Sequence, residues 1–379
     1  MPLERIHLDG TVRARTPEET WSVLAPRLAG WGITRVARLT GLDQLGLPAW
    51  TAIRPGAQTL TASQGKGATD LLAKVSAVME AVELWHAELP IEPTRYGPAR
   101  EAGLPYPLEA LPVHTWHEAL VDVPLDWATA RGVLSGREVL VPLGLVLRRA
   151  RRPLWQPDVF RATSTGLACG NTREEAVLHA LYEVVERDVL VADEAGDRAC
   201  RVLVDPGSVD DPYAASLVGR VQDAGFALEL VLVDNAYGIP VCLAYLWSED
   251  FPVWFAGAGC HTHPDIALTR AVTEAAQSRL TCIAGTRDDL VATEADFGAL
   301  PPRPPAAVGG LRPWGQLVSG FGTWQGGFGD HVRAVAGRIE RVTGHEPLCL
   351  GLSGPGDPVA AVKVVCPGTR SRTRRAVPR

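Results

Sequence analysis

One seven-residue pattern recurs three times along this chain: Ala77-Val-Met-Glu80-Ala-Val-Glu83, Ala180-Leu-Tyr-Glu183-Val-Val-Glu186 and Ala271-Val-Thr-Glu274-Ala-Ala-Gln277. Each copy sets a carboxylate, and three residues later a second carboxylate or an amide, in an otherwise apolar stretch. Residues i and i+3 share a helix face, so each copy reads as a buried helix projecting two oxygen-bearing groups from one side. The carboxylates Glu80, Glu83, Glu183 and Glu186 would then repel one another or take up protons unless a cation held them. Hard oxygen ligands on several elements point to magnesium, and magnesium with few protein ligands usually also binds phosphate. A solvated helix face explains one copy equally well, but not three copies with the same small residues beside each acid.

A glycine-bearing segment precedes each copy: Ser63-Gln-Gly65-Lys66-Gly67, Ser164-Thr-Gly166-Leu-Ala-Cys-Gly170 and Ala256-Gly257-Ala-Gly259-Cys260. Read as loops opening the helices, these segments would offer backbone N–H groups and the positive dipole end to an anion. Lys66, between two glycines, is a candidate substrate or phosphate contact, although no Walker motif is present. Arg187 pairs with Glu183 along the helix or reaches a phosphate as a fork donor. On the third helix Arg270, Glu274 and Gln277 share a face, and helical periodicity turns Arg279 roughly the opposite way. Arg287-Asp288-Asp289 offers another cation or a solvated loop.

The 379 residues allow two or three domains with ample core. A hydrophobic content of 46%, with 21% charged residues and a net charge of −6, is ordinary for a globular protein and gives no general attraction to nucleic acid. No run is long enough for a membrane helix, and Met1-Pro-Leu-Glu-Arg5 lacks a signal-peptide core, so the expected location is cytoplasmic. The seven cysteines form no C-x-x-C pair, which disfavours structural zinc and a disulfide framework. Cys260-His261-Thr-His263 has no second cluster at zinc spacing, and Cys169 lacks an identifiable base, so both read as packed residues.

Capping boxes at Thr16-Pro-Glu-Glu19 and Thr172-Arg-Glu-Glu175 start helices, the first running to about Gly30; Pro264-Asp265 opens a third. Thr34–Thr40, Val139–Leu147, Arg201–Val204, Ala227–Asp234, Val241–Trp247 and Val359–Val365 read as strands. Their alternation with long helices predicts an α/β chain, and the threefold unit predicts internal pseudo-repeats in one body. Leu89–Pro112 and Leu300–Gly329 read as irregular connections, and Arg370–Arg379, with five arginines, as a frayed tail.

With these residues in view, the chain resembles the YcaO family of ATP-dependent enzymes that modify peptide backbone amides. Ser63-Gln-Gly-Lys-Gly67, Ser76-x3-Glu80-x2-Glu83-Leu-Trp-His-Ala-Glu88, Gly166-Leu-Ala-Cys-Gly170-Asn171, Glu183-x2-Glu186-Arg187-Asp188 and Glu274-Ala-Ala-Gln277-Ser-Arg279 follow the family pattern in order. The likeness runs from about Thr16 to Gly368. It implies three similar α/β subdomains around a central ATP site, with residues 63–368 as the catalytic domain, 1–62 part of the same body and 369–379 a disordered basic tail. Carried over by position, Ser76, Glu80, Glu83, Glu183, Glu186, Arg187, Gln277 and Arg279 would hold ATP. Glu80, Glu83, Glu183 and Glu186 would ligate Mg2+, and Lys66 and Arg187 would act in catalysis.

The implied chemistry is phosphorylation of an amide oxygen followed by nucleophile attack at the carbon. A neighbouring Cys, Ser or Thr gives an azoline, external sulfide a thioamide, and an amine an amidine. Azoline-forming members usually end in a P-x-P-x-P tail, whereas this sequence ends Arg374-Arg-Ala-Val-Pro378-Arg379. Too few residues precede Ser63 for a fused ubiquitin-activating-enzyme-like or leader-binding domain. Both departures, with Gly32-Ile-Thr-Arg-Val36, Thr40-Gly-Leu-Asp43 and Trp85-His-Ala-Glu88, are similar to the stand-alone or TfuA-associated branch, for which thioamide formation is implied. The expected partners are a peptide or protein substrate, a TfuA-like protein or a separate leader-binding protein, and a second copy in a homodimer, with neither nucleic acid nor membrane. A cyclodehydratase, and a non-catalytic peptide-binding scaffold, are the competing expectations.

Overall fold

Three separate β-sheets each end on a glycine-bearing strand that feeds one of the acidic helices. The computed structural model describes residues 5–147, 158–196, 198–285, 310–322 and 324–371. The first sheet is antiparallel, in the order β3 (Arg35–Arg38), β4 (Ala49–Ile53), β5 (Ala62–Lys66), and leads into α2 (Asp70–Glu88). The second runs β6 (Arg95–Pro98), β7 (Pro124–Gly132), β15 (Leu348–Gly351), β16 (Ala360–Val365), β9 (Leu167–Gly170), with β8 (Glu138–Pro142) paired to β7, and leads into α4 (Arg173–Ala195). The third runs β13 (Phe255–Cys260), β12 (Val241–Trp247), β11 (Ala227–Val233), β10 (Arg201–Asp205), β14 (Arg312–Pro313), and its end strand β13 leads into α6 (Pro264–Ala284). The mixed α/β architecture and its threefold plan are thus as the sequence predicts, with the strands almost all antiparallel.

A hairpin of β1 (Ile6–Leu8) and β2 (Thr11–Arg13) precedes this body, and α1 (Pro17–Leu24), α3 (Leu143–Val146), α5 (Pro212–Asp223), α7 (Trp314–Val318) and α8 (Phe328–Thr343) complete the helices that the argument needs. The main core joins α4 and α8 to strands of the second and third sheets, through Leu181, Val185, Ile239, Val335 and Val362. A second cluster packs α1 and α2 on β4 and reaches Ala361 of β16, so the three sheets share apolar contacts rather than standing apart.

Two of the glycines expected in anion loops lie in strands instead. Gly65 lies in β5 and Gly257 in β13, and both strands lie directly on the backbone of the helix that follows. A Cβ on Gly65 would sit 2.0 Å from Ala77 N, and one on Gly257 2.2 Å from Ala271 O. Ala77 and Ala271 open the first and third copies of the repeated pattern and are wholly buried. The small residues therefore serve close strand-on-helix packing, which fixes where the acids on the same helix point.

Other boundaries differ for local reasons. Thr16 and Glu19 form the full capping box, but α1 stops at Leu24 and continues as a 3-10 helix to Trp31. The strand expected to run from Val139 to Leu147 ends at Pro142, where the chain turns into α3 and buries Leu143, Leu145 and Val146. Leu89–Pro112 contains β6 and two short 3-10 turns, and β14, α7 and the start of α8 lie within the described part of Leu300–Gly329. Arg287-Asp288-Asp289 and residues 372–379 lie outside the described residues. Arg370, in the stretch expected to fray, donates its backbone N–H to Asp188 at 2.8 Å.

Candidate functional site

Helices α2, α4 and α6 meet at one cavity of about 610 Å3, within the roughly 300–1,000 Å3 usual for ligand sites. Helical periodicity puts Ser76, Glu80 and Glu83 of α2 on its wall, with Glu186 and Arg187 of α4 and Arg270, Glu274 and Gln277 of α6; Lys66 enters from the end of β5. Lys66 donates to Glu274 at 2.9 Å, and Gln277 donates to the Gln64 carbonyl at 3.0 Å. Glu83 accepts the Cys169 N–H at 3.2 Å. Glu183 stands off the wall, accepting the Gly166 N–H at 3.1 Å and lying 3.7 Å from Arg187.

The electrostatics are those of carboxylates short of positive charge. Burial, and then the charges of Glu183 and Glu80, push Glu83 well above the usual carboxylate range. Burial also raises Glu183, against the pull of Arg187 and Lys363. Burial and the charge of Glu274 push Glu186 up to about 7. Glu274 goes the other way, since Lys66, Arg187 and Arg270 overcome its burial and hold it at about 2. Lys66 itself is lowered by burial, with Glu274 opposing.

Two guanidinium nitrogens at this cavity, Arg187 Nε and Arg270 Nε, are buried with no hydrogen-bond partner. A buried donor left unpaired costs about 1–3 kcal/mol. Raised carboxylates and orphaned guanidinium donors in one cavity fit a hard cation bound together with phosphate oxygens. Among the described residues, no three His, Cys, Asp or Glu side chains form a group that could hold a metal ion by themselves. Magnesium keeps water and substrate phosphates among its ligands, so a site for it needs fewer protein carboxylates than three.

Arg279, which the resemblance would place with ATP, is not on this wall. It is 2% exposed and sits among Asp43 at 3.2 Å, Ser248 at 2.8 Å and Asp250 at 2.8 Å, over the ring of Phe226. The helix period had turned it away from Gln277, and the structure follows the period. Cys169 lines the cavity inside an apolar cluster, its thiol pushed well up by burial and then by Glu83. His261, His263 and His331 stack near Arg5, which lies 3.2 Å from His263.

Some residues on the wall were given no ligand role from the sequence. Glu274 occupies the acid position of the third copy, so the repeat itself could have assigned it. Arg270 shares its helix face. Arg13 arrives from β2, 2.8 Å from His179 and 3.4 Å from the buried Glu175. Burial and the charge of Arg13 keep His179 well below its ordinary range. Glu175 also departs from its expected capping role, since Thr172 accepts its N–H but its carboxylate takes the N–H groups of Asn171 and Ala14. No local signal marks Arg13, whose partners are more than 160 residues away.

A family model described as YcaO cyclodehydratase, ATP- and Mg2+-binding, matches residues 64–370. An uncharacterized protein of Mycobacterium tuberculosis is 40% identical over 389 residues, covering 97% of this chain and 84% of the relative. A protein from the tfuA 3′ region of Rhizobium leguminosarum bv. trifolii is 35% identical, over 94% of this chain and 88% of the relative. Among solved structures, YcaO from Methanopyrus kandleri bound with AMPPCP and Mg2+ is similar at a TM-score of 0.75 and 21% identity, over 99% of both chains. A heterocyclase in complex with substrate and cofactor is similar at a TM-score of 0.77 and 22% identity, over 98% of this chain, which spans 55% of the heterocyclase.

Proposed function

This chain belongs to the YcaO family, and from that premise we propose that it uses ATP and magnesium to activate a peptide backbone amide for attack by a nucleophile. The observation that carries the reading is the convergence of three acidic helices on one cavity that also holds Lys66, Arg187 and Arg270. An amide carbon is a poor electrophile and its oxygen a poor leaving group. Transfer of the terminal phosphoryl group of ATP to that oxygen, with release of ADP, remedies both. The nucleophile then bonds to the carbon, and phosphate departs with the former amide oxygen.

Magnesium, when bound, neutralises charge on the transferring phosphoryl group. Carboxylates among Glu80, Glu83, Glu183 and Glu186 are proposed to hold it together with the nucleotide phosphates, with Ser76 and Gln277 contacting the nucleotide. Arg187 supplies a guanidinium N–H that has no protein partner and is free to donate to a phosphate oxygen. Lys66 is poised to exchange Glu274 for phosphate, keeping its charge neutralised at each stage. The catalytic region is taken as residues 63–368, with Arg13 of the preceding hairpin contributing to the same cavity.

For the nucleophile, sulfide is favoured, giving a thioamide with a TfuA-like protein as the sulfide-recruiting partner. The support is the relative encoded in a tfuA 3′ region. Ring formation by a neighbouring side chain is the second reading, favoured by the likeness to a heterocyclase. The test combines purified protein, a TfuA-like partner, ATP, sulfide and candidate peptide, followed by mass spectrometry. A product heavier by the sulfur-minus-oxygen difference supports the first reading. Loss of water supports the second, and no ATP consumption with any peptide contradicts both.

A further inference from the structure

Lys363, on β16, is only 4% exposed, and lysine seldom reaches such burial without partners. It stands off the cavity wall, where its ammonium donates to two backbone carbonyls, Thr163 at 2.8 Å and Thr165 at 2.7 Å. The next residue, Val364, donates its N–H to the Gly166 carbonyl at 2.7 Å. Together these bonds clamp the turn from Thr163 to Gly166. Gly166 there has φ +78°, and a Cβ on it would lie 2.2 Å from the Val364 carbonyl oxygen. The clamped turn presents one N–H, that of Gly166, to Glu183 at 3.1 Å.

A neutral side-chain amide, with two N–H donors, could tether two carbonyls at less desolvation cost than a buried ammonium. What the ammonium adds is a fixed positive charge one peptide group from Glu183, because the Thr165 carbonyl it holds and the Gly166 N–H that Glu183 accepts belong to the same peptide group. We propose that Lys363 is a positioning residue for the magnesium site, holding Glu183 through the Gly166 turn and placing a positive charge behind that turn. The inference rests on the nucleotide and magnesium reading above.

Its test is calorimetric titration of the full chain with AMPPCP over a series of Mg2+ concentrations, with melting curves in parallel. Lys363→Met raises the Mg2+ concentration for half-maximal binding roughly ten- to hundredfold, the loss expected on removing an outer partner of a metal ligand. Lys363→Arg, which keeps the charge, recovers most of it. Val365→Ala, on the same face of β16, lowers the melting temperature without moving the Mg2+ requirement. An unchanged requirement in folded Lys363→Met, or an equal shift in Val365→Ala, overturns the inference while wild-type binding stands. If Lys363→Met does not fold, Lys363→Gln, which keeps an N–H donor for the carbonyls and drops the charge, is judged by the same criterion. Wild-type protein that binds AMPPCP without regard to Mg2+ removes the underlying reading and this inference with it.

Discussion

Glu83 is held in an environment that resists its charge, with burial and two neighbouring carboxylates acting together. Groups under that strain are costly to a metal-free protein and useful to one that binds a cation. Glu83→Gln keeps the shape and the acceptor for the Cys169 N–H while removing the charge, so it should abolish ATP turnover and leave the melting temperature in EDTA unchanged or higher. Glu186→Gln should behave the same way, and a matching drop in melting temperature would mark both as structural instead. Arg279 makes the converse case. Arg279→Met should destabilise by about 3–5 kcal/mol, because Asp43 is left buried and unpaired. AMPPCP affinity per folded molecule should not change, and a selective loss of affinity would return Arg279 to the site. The two residues also show what was readable one residue at a time. Acid spacing was visible in a single helix, whereas the partners of Arg279 and Arg13 come from distant segments that no local pattern reveals.

At the scale of elements, α4 and α6 could be read from their starts at Thr172 and Pro264, and α2 from its acid spacing alone, its Thr69 cap emerging only in the structure. The function of the glycines could not be read. A glycine before a helix is the same letter in an anion loop and in a strand laid against that helix, and only the third dimension separates them. Gly65→Ala should cost about 3 kcal/mol, the upper end of overpacking, because backbone rather than a movable side chain meets the new methyl group. Gly337→Ala, in α8 with nothing within 4 Å, should instead stabilise by roughly 0.5–1 kcal/mol. Urea unfolding of the two variants measures both, and a mild Gly65→Ala would contradict the packing role assigned to that glycine.

Across the whole molecule, the threefold plan was legible because each sheet ends on the strand that feeds an acidic helix, so the repeat in sequence is a repeat in space. The hairpin that brings Arg13 to the cavity lies outside the repeat and so outside its reach. Collective electrostatics give a pH signature. Glu186 titrates near 7 when folded and near 4.5 otherwise, so between those values the folded chain binds the extra proton. Glu83 and Glu183 act in the same sense. Stability of the metal-free protein should therefore fall as pH rises through about 4.5 to 7, and added Mg2+ with AMPPCP should reduce the fall by favouring the ionised carboxylates. Glu274 contributes in the opposite sense only in stronger acid, where its stabilisation is lost as pH drops from 4.5 towards about 2. Melting curves across that range, with and without the ligands, check the sign. The most direct measurement is anomalous diffraction from crystals grown with Mn2+ and AMPPCP. The account predicts a metal peak inside the cavity of α2, α4 and α6, touching carboxylates among Glu80, Glu83, Glu183 and Glu186, with the phosphates beside Lys66 and Arg187. A nucleotide and metal bound elsewhere, with those glutamates uninvolved, would contradict it.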